Sequence, residues 1–183
     1  MPDNTFNNVL TAGIHQEIHA ARSIDQLHSL SLRMFDTVRP AINSGTDTNN
    51  IVQLISGFND AVTARLITLM GNIENISLPE GATYLVLGSE GRGEQTLRTD
   101  QDSAIIYADA LPPEKLSDVE RFAVRLVDAL EEIGVPRCPG NIMASSKEWC
   151  RSISEWEHTV DQWIAVPTPE NMLNFGMLQD MRS

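Results

Sequence analysis

The chain has 183 residues, 42% of them hydrophobic, and a formal net charge of -12. That is enough apolar material for a buried core in one domain or two small ones, while the acidic balance argues against a duplex nucleic acid partner, which needs a basic surface. Two cysteines make no disulfide framework, and with no basic-then-apolar leader and no membrane-length apolar run, a soluble protein of the reducing cytoplasm is expected.

Phe6, Val9, Leu10, Gly13, Ile14, Ile18 and Ala21 recur at helical spacing and predict a first amphipathic helix. Ser23-Ile-Asp-Gln26 is a capping-box pattern opening a second, with Leu27, Leu30, Met34 and Val38 on its apolar face and Pro40 and Gly45 bracketing its end. After a polar run, a third stripe follows from Ile51 through Leu54, Ile55, Phe58, Val62, Leu66 and Leu69 to Ile73. Three such stripes can bury one another, so residues 1–78 are expected to form a helical bundle. A linker from Ser77 to Gly81, containing Pro79, leads into residues 79–183.

Tyr84 to Leu87 is a short apolar run that predicts a buried strand, broken by Gly88-Ser89. Amide groups at such a turn suit phosphate oxygens. Asp100 and Asp102 then stand at the mouth of a second apolar strand, Ala104 to Tyr107, where alternation sends positions i and i+2 to one side. Two carboxylates held so close call for a divalent cation between them, and a cation clamped there can carry a nucleoside triphosphate.

Leu111-Pro-Pro-Glu114 reads as a loop, and Leu116, Val119, Phe122, Ala123, Leu126, Val127, Leu130 and Ile133 as a helix ended by Gly134. A loop containing a short strand at Ile142 to Ala144 is expected next. Ser145-Ser-Lys-Glu148 then predicts the start of a helix bearing Trp149, Ile153, Trp156, Val160 and Trp163 on one face. Those indoles suit either packing on the sheet or the N-terminal helices, or stacking on a nucleobase. Thr168-Pro169 opens a last helix through about Gln179.

The Gly-Ser bend followed by Asp-x-Asp resembles the nucleotidyltransferase superfamily related to DNA polymerase beta. More narrowly, Gly88-Ser-Glu-Gly-Arg-Gly-Glu-Gln95, Thr99-Asp-Gln-Asp102, Ala104-Ile-Ile-Tyr107, Cys138-Pro-Gly-Asn-Ile-Met-Ala144, the tryptophans and Asp180-Met-Arg182 resemble the DUF294-like nucleotidyltransferases. These are often fused to CBS and cyclic-nucleotide-binding domains, and are similar to the catalytic domain of the uridylyltransferases that modify the PII signalling protein. The resemblance implies an α/β (α+β) fold, a small mixed sheet flanked by helices and preceded by the helical bundle. It implies magnesium or manganese held by Asp100 and Asp102, an NTP whose phosphates lie on Gly88, Ser89 and Arg92, and NMP transfer to an acceptor hydroxyl, on a protein among other choices. Asp180 enters as a third metal ligand by resemblance alone. Arg92 suits phosphate through its forked donors but equally suits Glu94 or another acid. Ser103 departs from the asparagine frequent in relatives. Relatives also carry regulatory domains before this region and a helical domain after it, so a piece of a longer protein is expected.

Other phosphate motifs fail. The segment lacks the Gly-Lys-Ser/Thr ending of a P-loop, and Gly91-Arg-Gly93-Glu-Gln-Thr96 lacks the last glycine of a dinucleotide fingerprint. His15 and His19 are accompanied by no third ligand, so a structural or exposed pair is expected, and Cys138 has no evident base, so packing against the neighbouring loop is expected for it. Two rivals to transfer stay open: a nucleotide-sensing regulatory module without turnover, and a helical interaction or dimerisation unit, with a second copy of the chain as its partner.

Overall fold

The computed structural model describes residues 13–43, 45–96 and 99–183; the expected apolar positions Phe6, Val9 and Leu10 lie outside them. Helix α1, residues 13–20, buries Ile14 and Ile18. Helix α2 spans Ile24–Asn43, and its start follows half of the predicted capping box: Ser23 Oγ accepts from the Gln26 amide at 3.3 Å, while Gln26 Oε1 accepts from the Arg22 amide, one residue before the cap. Leu27, Leu30, Met34 and Val38 are all buried. The helix continues through Pro40, because the proline removes only one amide bond, on an exposed side near the end, where water can take the freed carbonyl.

Helix α3, Thr48–Leu69, opens at Asp47, whose side chain accepts from the Asn49 amide, and buries Ile51, Ile55, Phe58, Val62, Leu66 and Leu69. The expected stripe does not extend to Ile73. A π-helical turn, Met70–Glu74, adds a residue to the repeat, so that Met70 is fully buried and Ile73 is 63% exposed.

Three strands form one mixed sheet in the order β1-β2-β3. Strand β1, Ala82–Val86, runs antiparallel to β2, Ser103–Tyr107, with Val86 opposite Ser103; β2 is parallel to β3, Cys150–Ser152. A short helical turn, α4 (Gly88–Gly91), follows β1. Helix α5, Pro113–Glu132, ends as expected at Gly134, which has φ +97°. The Val135 amide reaches the Leu130 carbonyl and the Gly134 amide that of Glu131, the paired bonds of a Schellman cap.

Two expectations between α5 and the last helices are corrected. Residues Ile142 to Ala144 do not form a strand; the third strand is Cys150–Ser152. Ser145 to Glu148 does not open a helix either. Helix α6 is Ile153–Ala165 and starts at Ser152, whose side chain and that of Glu155 form a reciprocal capping box. Pairing of Cys150 with Ile105 keeps 150–152 extended and delays the helix. Helix α7, Pro169–Gln179, opens on Thr168 as predicted.

The sheet separates two apolar clusters. One joins α1, α2 and α3 to α5 and Ile105 across residue 78. The other packs Leu85, Leu87, Ala104 and Ile142 on Trp149 and Trp156. No described helix is long and apolar enough to cross a membrane.

Candidate active site

The site lies where β1 and β2 end. Gly88 has φ +51°, a conformation that disfavours a Cβ, and a Cβ there would stand 2.7 Å from Met177 Cε and 3.4 Å from Asp102 Oδ2. The bend and the acidic strand are therefore in immediate contact. The Leu87 amide bonds the Asp102 carbonyl at 2.9 Å, and the turn closes through bonds from Gly91 to Leu87, Arg92 to Gly88 and Glu94 to Ser89.

Alternation separates Gln101 from its neighbours. Gln101 is 2% exposed and its Nε2 donates to the carbonyls of Val127 and Val135 at 3.1 and 3.0 Å, tying the strand entrance to the end of α5. Asp100 and Asp102 come together, with Cys138: one donor atom from each lies within 4.8 Å of the others. Among the described residues no other such group of three occurs.

Asp102 has its pKa raised, chiefly by burial; a hydrogen bond with Cys138 acts against this, and the Asp100 charge adds to it. Burial also pushes the Cys138 thiol up, so it stays neutral. The donor set fits a hard divalent ion. Two carboxylates supply the oxygens that magnesium or manganese prefers, and relief of their mutual repulsion favours the bound state. A protonated thiol adds little for such an ion.

Arg92 and Asp180 meet each other rather than the acidic pair. Arg92 Nε donates to Glu94 at 2.8 Å, and its Nη1 pairs with the Asp180 carboxylate. Asp180 is absent from the Asp100, Asp102 and Cys138 group. The chain after α7 runs beside β1: Val86 and Arg182 exchange both backbone bonds, at 2.9 and 3.0 Å. The Arg182 guanidinium reaches Asp60 on α3 and the carbonyls of Glu90 and Gly91.

Several residues here escaped the sequence reading. Glu90 sits in this contact zone with its pKa raised to about 7, by burial and then by Asp60, against the lowering effect of Arg182. Met177 covers Gly88, and Gln95 is 2% exposed beneath the turn. Most of their partners, Asp60 and Arg182 for Glu90, Gly88 for Met177, and Ser56 and Asn59 for Gln95, lie far off in sequence, so the local motif that contains Glu90 and Gln95 does not reveal these contacts. Ser103 is buried, and its hydroxyl accepts from the Ala144 amide at 3.1 Å. The tryptophans pack on the sheet, Trp156 Nε1 donating to the Ile105 carbonyl.

A family model described as putative nucleotidyltransferase DUF294 matches residues 33–170. No curated protein and no solved structure matches the chain.

Proposed function

The chain belongs to the putative nucleotidyltransferase family DUF294, and on that premise we propose that it moves a nucleoside monophosphate from an NTP to an acceptor hydroxyl, a protein hydroxyl being one candidate. The observation that supports this reading is the contact between the Gly88 bend and the paired carboxylates.

Asp100 and Asp102 would hold magnesium or manganese, which supplies charge neutralisation for the triphosphate and the departing pyrophosphate. Gly88, lacking a side chain, lets phosphate oxygens approach the backbone, and Ser89 offers its hydroxyl. Arg92 supplies forked donors to the phosphate tail once it exchanges Asp180 for phosphate; Asp180 holds that guanidinium in place beforehand. The acceptor oxygen attacks the α-phosphorus as its proton passes to a carboxylate of the pair. The bond to the bridging oxygen breaks, and pyrophosphate leaves with the electron pair.

The test is divalent-ion-dependent pyrophosphate release from each NTP, with cell extract supplying acceptors. Asp100→Asn and Asp102→Asn are each expected to lower release by about 100-fold or more. Release untouched by both substitutions refutes the assignment. A second reading, nucleotide sensing without transfer, is favoured by one feature, the engagement of Asp180 with Arg92. It predicts saturable Mg-NTP binding with no release under any acceptor condition.

A further inference from the structure

We infer that Gln95 is a positioning residue that fixes the acidic strand to helix α3, a reading that rests on the cation-holding role proposed for Asp100 and Asp102. A buried amide is costly unless its polar groups are bonded, and Gln95 is 2% exposed. Its backbone N–H donates to Ser56 Oγ at 3.1 Å. Its Oε1 accepts from Asn59 Nδ2 at 3.0 Å, and its Nε2 donates to Thr99 Oγ1 at 3.2 Å. Two of these partners stand on α3, and the third directly precedes Asp100. Ser56 is itself 5% exposed, so the backbone bond is shielded from water, while the side-chain bonds to Asn59 and Thr99 are partly buried.

The geometry has a direction. Helix α3 is packed against α2 and α5 and is the member with the larger buried face. Gln95 reaches from it to the residue that begins the Asp-x-Asp segment, while Gln101 anchors the same segment to α5 from the other side. Asp100 is thus bracketed by two buried glutamines. A displacement of α3 would pass to the carboxylate pair through one side chain.

Manganese binding by the full chain, followed by the loss of the free-ion electron paramagnetic resonance signal, tests this without requiring turnover. Thr99→Val removes the hydroxyl at constant shape, Thr99→Ser keeps it, and Asn59→Ala breaks the link at the helix. Thr99→Val and Asn59→Ala are expected to weaken binding about fivefold to tenfold, the loss expected from one partly buried hydrogen bond, with Thr99→Ser within about twofold of the parent. Binding is measured without denaturant, where circular dichroism shows both Thr99 variants folded, so that partial unfolding does not reproduce the difference. Equal binding by Thr99→Val and Thr99→Ser, in a parent that binds manganese more tightly than Asp102→Asn, overturns the positioning role alone. A parent that binds no better than Asp102→Asn overturns the cation reading and this inference with it.

Discussion

Replacing Gly91 with alanine would drive a methyl group onto the carbonyl oxygen of Asp180, 2.8 Å from its carbonyl carbon and 3.2 Å from the Val86 carbonyl oxygen. Neither neighbour is a side-chain tip that can swing away; both are backbone. The segment after α7 must leave β1, and with it go the two backbone bonds between Val86 and Arg182 and the bond from Arg182 to the Glu90 carbonyl, with the longer, exposed bond from Arg182 to the Gly91 carbonyl adding little. At about 1 kcal/mol net for each of three bonds, the loss is near ~3 kcal/mol. The ion pairs of Arg182 with Asp60 and Arg92 with Asp180 add little, being partly exposed. With a urea slope of about 2 kcal/mol per molar, the unfolding midpoint falls by about 1.5 M. A double-mutant cycle separates the cause: in a chain ending at Gln179, the same substitution should change stability by less than about 0.5 kcal/mol. A full-length Gly91→Ala protein as stable as the parent, or a loss that persists in the shortened chain, refutes the steric argument.

Glu90 gives a pH dependence. Its folded pKa of about 7 lies above the ordinary 4.5, so the folded state binds the proton more tightly. This stabilisation is complete below pH 4.5 and is lost as pH rises through 7, amounting to at most about 3 kcal/mol. Urea midpoints at pH 5 and pH 8 should differ less in Glu90→Gln than in the parent, and an unchanged difference refutes the assignment. Asp102→Asn is expected to raise the unfolding midpoint when divalent ions are chelated, since it removes a carboxylate whose ionisation burial and Asp100 oppose; a fall contradicts this. Gly88→Ala should destabilise through both its positive φ, about 1 kcal/mol, and contact with Met177. In thermal melts, adding Met177→Ala should recover the second part only.

What was legible in the sequence was local. The caps at Ser23 and Thr168, the stop at Gly134 and the placing of Asp100 and Asp102 on one side of a strand entrance all depend on residues within a few positions of each other. Ser145-Ser-Lys-Glu148 and Ser152-Ile-Ser-Glu155 match the same capping pattern. The choice between them was made by Cys150 pairing with Ile105, 45 residues away. The register shift that exposes Ile73 leaves no mark in apolar spacing, because it comes from the π-turn itself. Arg92 was readable as a residue seeking acids, but Asp180 is 88 positions distant, and nothing local announces Gln95 as a buried link.

All three tryptophans of the chain stand in one mutual cluster, with ring centroids 5.7 to 6.2 Å apart. Tryptophan emission from this protein therefore reports on the β3 and α6 side, while circular dichroism is dominated by all the helices. Melting curves recorded by the two signals would superimpose if the N-terminal bundle and the sheet unfold as one unit, and would separate if the bundle loosens first. The molecule carries its own two-colour thermometer, with no introduced label.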